Sequence, residues 1–380
     1  MVELSYQKGT PIEKMPQIEL ITPMKGDPSR SMWLFGENLK GALRELGVEV
    51  TQTQGLGLEG AGRLLQFMCR RGIYPLQLLA TPPRAEVIHL IDQSYSNLIH
   101  VLPREKTCVT VHDLAFYHDR NNLGLFSRAV RGHLLSGLQK AKYLFTPSQF
   151  VKKELLELFS FKEHQIEVIP NGLHFEFIER SRSLLKPLTS KKQILHVGSC
   201  LPRKNLELIL ECLGSLIKNG RRDFNFLQVG GEFRESQKEM IQKMGLEEYV
   251  SQIPNVSLHE LIGFYENSRL LFFPSLLEGF GWPILEALSC GLPVLASNQG
   301  SLPEVGGGFI QAFDPYTEKE RFIQALEEAL WGENVEDSER QRGKSWASEF
   351  TWRRHAEKTL WAYRQIHSGR SLKDSNSAET

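Results

Sequence analysis

Two glutamates and two adjacent basic residues are the side chains in this sequence whose types and spacing are best suited to chemistry. Glu278 and Glu286 stand in the stretch EGFGWPILE, and Arg203 and Lys204 end the stretch HVGSCLPRK. Paired carboxylates can act as acid and base in the cleavage of a glycosidic bond. Adjacent cations at the start of a helix can hold a diphosphate and neutralise the charge that it gains when it leaves.

The local pattern gives the two glutamates separate roles. Pro283 is acceptable in the first turn of a helix because the amide that it lacks would be unpaired there. A helix that starts near Pro283 puts Glu286 in its first turn and leaves Glu278 in the loop before it. Gly279 and Gly281 in that loop allow a close backbone approach to a ligand. We interpret Glu278 as a contact to sugar hydroxyls and Glu286 as a contact to a ribose; for Glu286 the alternative is stabilisation of the helix dipole, about 0.3–1 kcal/mol.

The basic pair and one histidine complete the set of candidate site residues. Positive charge is locally unfavourable at a helix amino terminus, so a bound anion would explain why Arg203 and Lys204 stand there. The alternative is that both are solvated residues of a first helical turn. His112 ends the apolar run CVTVHD and would reach a ligand from the other half of the chain, although a single histidine at a strand end is more often structural.

Short apolar segments alternate with segments long enough for helices along the whole chain, which predicts an α/β fold with doubly wound parallel sheets. In such sheets ligands bind at the carboxyl ends of the strands, where the candidate residues above would lie. The predicted strands are 18–21, 48–50, 87–91, 108–111, 144–146, 166–169, 194–197, 224–229, 250–253, 270–273 and 294–296.

The length of 380 residues favours two domains. The strand and helix alternation pauses near residue 171, and a polar, basic segment follows. We therefore predict a Rossmann-like amino-terminal domain over 1–185 and a second one over 186–350. A helix over 351–368 and a disordered tail over 369–380 complete the prediction.

Composition narrows the class of protein. With 45 Lys and Arg against 45 Asp and Glu, the chain has no formal net charge, which argues against a main role in binding nucleic acid. The 5 cysteines show no CxxC spacing, and there is no signal or membrane-spanning pattern. We expect a cytoplasmic protein. Residues 126–142 could form a basic amphipathic helix at the inner face of a membrane, against the favoured alternative of a solvated helix face.

Taken together, several stretches resemble the retaining glycosyltransferases of family four, which have the two-domain GT-B fold. These stretches are HVGSCLPRKN, PSLLEGFGWPILEALSCGLPVLAS, SLPEVGG, TVHDL, TPSQFVKKEL, VIPNG, FDP and FTW, and the spacing of the two glutamates matches the E-x7-E motif of that family. The resemblance implies two Rossmann-like domains that face a cleft, with the last helix crossing back to the first domain.

The resemblance also implies residue roles. Arg203 and Lys204 would bind the diphosphate of a nucleotide-sugar donor, and Glu286 its ribose. Glu278 and the backbone of Gly279–Phe280–Gly281 would hold the transferred sugar, while His112 would approach it from the first domain. Such enzymes need no metal or other cofactor and retain the anomeric configuration. Partners would be the donor and a glycan or lipid-linked glycan, and the RKN form of the donor loop favours a GDP-mannose type of donor.

The sequence departs from the family pattern in two loops. The usual glycine-rich first loop is KGDPSRSMW here, with Gly26 as its only glycine, and Ser199 stands where many members have arginine. The resemblance still implies that Gly26 and Ser199 contact the donor. Two rival interpretations therefore stay open. One is a GT-B epimerase or phosphorylase, and the other is an inactive nucleotide-sugar-binding or scaffold protein.

Overall fold

The alternation of strands and helices produces two six-stranded parallel sheets in the computed structural model. The structure describes residues 15–27, 30–57, 60, 62–118, 125–333, 335–370 and 372. The first sheet consists of β1 Ile18–Thr22, β2 Val50–Gln54, β3 Val87–Leu90, β4 Thr107–Thr110, β5 Tyr143–Thr146 and β6 Ile166–Val168. Its strand order is β2-β1-β3-β4-β5-β6.

The second sheet contains the strand that precedes the Glu278 loop. Its strands are β7 Gln193–Val197, β8 Asn225–Val229, β9 Val250–Ile253, β10 Leu270–Phe273, β11 Val294–Ser297 and β12 Gln311–Phe313, in the order β12-β11-β10-β7-β8-β9. All four residues of β10 are apolar and buried because the strand is central and helices cover both faces of the sheet. β7 and β10 are neighbours, so the loops that follow them meet at one sheet edge.

Helices cover both faces of each sheet. They are α1 Arg30–Glu45, α2 Arg63–Met68, α3 Tyr74–Ala80, α4 Ala115–His118, α5 Leu125–Gln139, α6 Gln149–Leu158, α7 Phe175–Arg182, α8 Leu206–Lys218, α9 Glu235–Met244, α10 Leu258–Glu266, α11 Trp282–Ser289, α12 Leu302–Gly306, α13 Lys319–Trp331, α14 Asp337–Ala347 and α15 Trp352–His367. None of these described helices combines the length and apolar character needed to cross a membrane.

The last helix crosses back to the first sheet, as predicted. Thr351 caps α15 through its hydroxyl, which accepts from the Arg354 amide at 3.2 Å. Leu360 and Tyr363 pack into the apolar core formed by β1 and α1. The Tyr363 hydroxyl also lies 2.6 Å from His89 Nδ1 beneath the helix. The predicted fold class, two Rossmann-like sheets of the GT-B type with a returning terminal helix, is confirmed.

Packing places α7 with the second sheet, although the predicted boundary at 185/186 assigned it to the first domain. Phe177 and Ile178 belong to the core that includes Leu271 of β10. The reason is that the chain crosses over before α7, where the Leu173 amide donates to the Phe350 carbonyl at 2.7 Å. The division into domains at 185/186 stays a prediction, and the tail predicted over 369–380 lies almost entirely outside the described residues.

Candidate functional site

The loop between β10 and α11 carries Glu278. Gly281 ends this loop with φ +93° as the residue before the helix, and a Cβ there would lie 2.7 Å from Leu302. The helix begins at Trp282, and Pro283 lies in its first turn as predicted. This start is one residue earlier than expected, so Glu286 falls just beyond the first turn rather than within it. Dipole stabilisation therefore does not account for Glu286.

Glu278 forms one buried cluster with the two cations. Lys204 Nζ donates to Glu278 Oε1, and Arg203 Nη1 lies 3.6 Å from Oε2. Only 9% of Glu278 and 8% of Lys204 are exposed. Lys204 Nζ also lies 5.0 Å from the centre of the Phe273 ring. Because two cations face one carboxylate, the cluster keeps a net positive charge beside the loop.

The loop after β7 is fixed to the Glu278 loop by backbone contacts. The Arg203 carbonyl accepts from the Leu276 amide at 2.7 Å. Asn205 is left-handed, with φ +55°, and its side chain donates to the Pro274 carbonyl at 3.3 Å. Asn205 is the residue before α8, but its conformation turns the side-chain amide toward Pro274 and no side-chain cap forms.

Tight packing also shapes the loop at Ser199. Gly198 has φ +147°, and its carbonyl accepts from Gln228 Nε2 at 2.7 Å. A Cβ on Gly231 would lie 2.9 Å from Ser199 Cα, so only glycine permits this approach. The backbone around Ser199 is therefore held in place before any ligand binds.

His196 is a polar residue beneath this cluster that the sequence did not single out. Its Nδ1 lies 2.6 Å from Gln228 Oε1, which can only accept, so Nδ1 carries the proton. Its Nε2 is buried and has no hydrogen-bond partner among the described residues. Burial and then the charge of Lys204 lower the pKa of His196 to about 3, so the ring is neutral. The sequence pattern that could have identified His196 is a histidine within the predicted strand 194–197, whose other residues are apolar.

His112 reaches the same loop from the first sheet. Its Nε2 donates to the Ile91 carbonyl at 2.8 Å, which leaves the buried Nδ1 as an acceptor without a partner in the described structure. Burial lowers the pKa of His112, so the imidazole is neutral. Its carbonyl oxygen is in such close contact with Gly279 that a Cβ at Gly279 would overlap it. His112 and the Glu278 loop therefore lie together, as the sequence predicted.

A second contact between the two halves involves Ser148 and Glu304. The Ser148 hydroxyl donates to the Gly279 carbonyl at 2.7 Å and also caps α6. Glu304 accepts from the Gln149 and Phe150 amides at 2.9 and 3.3 Å, so a carboxylate of the second half sits at the amino terminus of α6. Both contacts join residues that are distant in sequence, so they are visible only in three dimensions.

Replacing Glu304 with glutamine should weaken the contact between the two halves at the amino terminus of α6. The arrangement in which this contact is made is called closed, and one in which it is broken is called open. A carboxylate at an exposed helix amino terminus contributes about 0.3–1 kcal/mol, or roughly a two- to fivefold shift toward an open form. We expect a larger radius of gyration by small-angle X-ray scattering. Glu320→Gln, an exposed acid in the first turn of α13, is the matched control. Identical scattering from both variants and the wild type would refute the assignment.

Glu286 lies in α11, about one turn after the start of the helix at Trp282, and is half-buried. The Tyr265 hydroxyl donates to Glu286 Oε2 at 2.6 Å. Burial raises the pKa of Glu286 from 4.5 to about 7, although this hydrogen bond acts in the opposite direction. Its remaining oxygen can accept from a hydroxyl group, as expected of a ribose contact.

The raised pKa of Glu286 makes stability depend on pH. Since the folded protein holds this proton more tightly than the unfolded chain, the stabilising contribution is complete below pH 4.5 and is lost as pH rises through 7. The melting temperature of Glu286→Gln should therefore rise relative to wild type by roughly 2–4 °C between pH 5.5 and pH 8.5. Thermal unfolding followed by circular dichroism measures this, and parallel pH profiles would contradict it.

Two other predicted donor contacts lie in less direct positions. Gly26, with φ +77°, lies after β1 in the first half, and its carbonyl accepts from Gln66 Nε2 at 3.4 Å. Phe280 is buried against Trp282 and Phe350, so only its backbone is available to a ligand. In the part of the chain that the structure describes, no group of three or more His, Cys, Asp or Glu could hold a metal ion.

The two Rossmann-like parallel sheets, with the cluster of Arg203, Lys204 and Glu278 at the carboxyl edge of the second, are an arrangement of the GT-B type. Comparison with solved structures gives the same fold. Sucrose-phosphate synthase from Thermosynechococcus elongatus superposes with a TM-score of 0.70, 17% identity and coverage of 93% of this chain and 99% of that chain. Anabaena Alr3699/HepE in complex with UDP gives 0.65, 16% identity and coverage of 92% and 100%. At these identities the likeness shows the fold alone.

Family models assign both halves. Residues 17–177 match the model described as "Glycosyltransferase Family 4", and residues 178–346 match "Glycosyl transferases group 1". Together the two models match residues 17–346 and support a group 1 glycosyltransferase. O-antigen chain mannosyltransferase B of Escherichia coli is 28% identical over 328 residues, which cover 80% of this chain and 84% of the relative.

Proposed function

We propose that this chain is a retaining hexosyltransferase that moves a mannose-type sugar from a nucleoside diphosphate donor to a glycan or lipid-linked glycan. The observation that carries this proposal is the cluster of Arg203, Lys204 and Glu278 at the carboxyl edge of β7 and β10. Gly279, which follows Glu278, contacts His112 and Ser148 of the first half, so a donor held at the cluster would meet an acceptor from the other side.

In this proposal the cations receive the diphosphate. Arg203 and Lys204 already compensate Glu278, and an incoming diphosphate would draw both toward itself. Glu278 would then be free to accept hydrogen bonds from hydroxyls of the transferred sugar. Charge-assisted bonds of this kind, in a site sheltered from water, are worth about twice neutral ones. Glu286 would accept from the ribose at the other end of the donor.

The reaction needs no enzymic nucleophile. The bond between the anomeric carbon and the phosphate oxygen breaks, and the acceptor oxygen bonds to that carbon on the same face. The acceptor proton passes to the departing diphosphate, whose charge Arg203 and Lys204 stabilise. The neutral His112, whose Nδ1 has no hydrogen-bond partner among the described residues, would accept a hydrogen bond from a hydroxyl of the bound sugar.

Two observations favour a mannose-type donor. The Escherichia coli relative is named an O-antigen chain mannosyltransferase. The RKN form of the donor loop, from Arg203 to Asn205, agrees with it. A GDP-linked sugar is therefore the first donor to test.

Donor binding and transfer together test the proposal. A thermal-shift screen over GDP-, UDP-, ADP- and dTDP-sugars should identify one base that raises the melting temperature. Labelled hexose should then reach a glycan acceptor, with the anomeric configuration retained by NMR. Donor binding without any turnover would favour the inactive scaffold, and sugar-nucleotide conversion without an acceptor would favour the epimerase or phosphorylase.

Metal independence is a prediction of the same proposal. Because two cations and the amides near them neutralise the diphosphate, adding EDTA should leave the transfer rate within about twofold of the untreated rate. Steady-state assays before and after chelation measure this. A complete loss that added Mg²⁺ or Mn²⁺ restores would show that a metal is required.

A further inference from the structure

Gln93 is a buried glutamine of the first half whose side chain binds the main chain at His112. It is the first residue of the short 3₁₀ helix Gln93–His100, and only 8% of it is exposed. Its Oε1 accepts from the His112 amide at 3.0 Å, and its Nε2 donates to the Asp113 carbonyl at 3.2 Å. A backbone amide only donates and a carbonyl only accepts, so the partners fix which side-chain atom is oxygen and which is nitrogen. One side chain therefore holds the main chain on both sides of the His112 carbonyl.

Strand register explains why Gln93 stands at this point. β3 pairs with β4 in a register that joins Leu90 to Val109, and continuing it by three residues places Gln93 opposite His112. The main chain has left the ladder before that point, because Asp92 caps the 3₁₀ helix that begins with Gln93. The Gln93 side chain then supplies an acceptor and a donor in place of a further residue of β3.

The peptide unit that Gln93 holds carries two groups of the candidate site. The His112 carbonyl is in such close contact with Gly279 of the second half that a Cβ there would overlap it. The His112 ring donates through Nε2 to the Ile91 carbonyl at 2.8 Å and meets the Phe35 ring edge to face, with centroids 4.8 Å apart. These contacts leave Nδ1 as an acceptor with no partner among the described residues. The positions of the carbonyl and of Nδ1 both depend on where the main chain at His112 lies.

We propose that Gln93 is a positioning residue for sugar transfer, whose side-chain amide fixes the place from which His112 reaches the donor sugar and meets the Gly279 loop. The inference rests on the proposed function and deepens it, because it assigns a role to a residue that acts through His112 rather than on a substrate. Arg203 and Lys204 of the second half hold the donor in the proposed function. A displaced His112 should therefore slow transfer more than it weakens donor binding.

Steady-state kinetics of Gln93→Met test the positioning role. Methionine keeps the length of the side chain but binds neither backbone group, so kcat should fall by about 10- to 50-fold. KM for the donor should stay within about twofold of the wild-type value. Gln93→Asn is the second variant, because its amide is one methylene too short to reach both His112 and Asp113. Its kcat should fall by about fivefold or more, again with KM nearly unchanged.

Gln165→Met is the matched control. The Gln165 side chain also holds a backbone amide and a backbone carbonyl of the first half, accepting from Lys162 at 2.9 Å and donating to Lys142 at 3.3 Å. These contacts lie at the amino ends of β5 and β6, the sheet edge opposite His112. Gln165→Met should keep the wild-type kcat. Melting temperatures of all variants separate stability from catalysis, since a glutamine that served stability alone would lower the melting temperature and leave kcat per folded molecule unchanged. That result in the Gln93 variants overturns the proposal.

Nitrogen-15 NMR of the imidazoles reads the position of His112 without turnover. In the wild type His112 should show one neutral tautomer with Nδ1 unprotonated, as its bond to the Ile91 carbonyl requires. A spectrum of His112→Ala assigns the signal. In Gln93→Met and Gln93→Asn the signal should broaden or average with the other tautomer, and in Gln165→Met it should be unchanged. An unchanged signal in both Gln93 variants overturns the proposal. If the proposed reaction itself fails, no variant transfers sugar while this NMR difference persists, so the two failures are distinguishable.

Discussion

Replacing Lys204 with methionine is expected to lower the rate of sugar transfer by about 10²- to 10³-fold, the usual cost of removing one group that stabilises a developing negative charge. Methionine keeps the packing of the side chain over Phe273 but removes the ammonium that contacts Glu278. Because Arg203 still faces Glu278, the buried carboxylate keeps one cation and the domain should fold. Steady-state transfer assays with the selected donor measure the loss.

Lys238→Met is the matched control for this variant. Lys238 pairs with Glu235 on the exposed side of α9 in the same domain, so its replacement removes a lysine without touching the cluster. It should retain wild-type transfer. Full activity of Lys204→Met, with donor present at saturation, would remove Lys204 from the site.

Replacing Gly279 with alanine should lower the rate of sugar transfer by about 10²-fold or more. Both domains should remain folded. The added Cβ would overlap the carbonyl oxygen of His112, so the two halves could not approach as they do now. The Ser148 bond to the Gly279 carbonyl would be lost with the same displacement. A misplacement of this size is enough to disrupt the alignment of donor and acceptor. Nucleotide binding should persist, because Arg203 and Lys204 lie in the second half, whose fold does not include His112.

Gly263→Ala tests whether the loss is specific to the contact. Gly263 lies within α10, where an added Cβ meets no atom within 4 Å, so alanine should be neutral or slightly stabilising. Comparing the transfer rates and nucleotide affinities of the two variants separates an effect on the approach of the two halves from an effect on nucleotide binding. If Gly279→Ala transfers sugar at the wild-type rate, the closed contact with His112 has no part in the reaction.

Periodicity and turn residues were sufficient to predict the fold. β10 is a run of four apolar residues, a pattern typical of a strand buried on both faces of a parallel sheet. Gly281 and Pro283 marked the helix start to within one residue. The place of α7 could not be predicted, because its apolar residues fit either core and only the crossing near Leu173 decides between them.

The site was predictable residue by residue but not as a cluster. Loop residues after neighbouring strands were expected to meet, and Arg203, Lys204 and Glu278 do. Their mutual pairing was not predicted, since spacing along the chain carries no information about which charge compensates which. Glu304 likewise acts on a helix that is distant in sequence, and no local pattern announces such a contact.

The central claim is that Arg203 and Lys204 recognise the diphosphate of a nucleotide donor. Calorimetric titration of wild type and Arg203→Gln with the selected nucleoside diphosphate and with its nucleoside tests it most directly. Wild type should bind the diphosphate at least about tenfold more tightly than the nucleoside, and Arg203→Gln should lose most of that difference while binding the nucleoside unchanged. An equal preference for the diphosphate in Arg203→Gln would contradict the account.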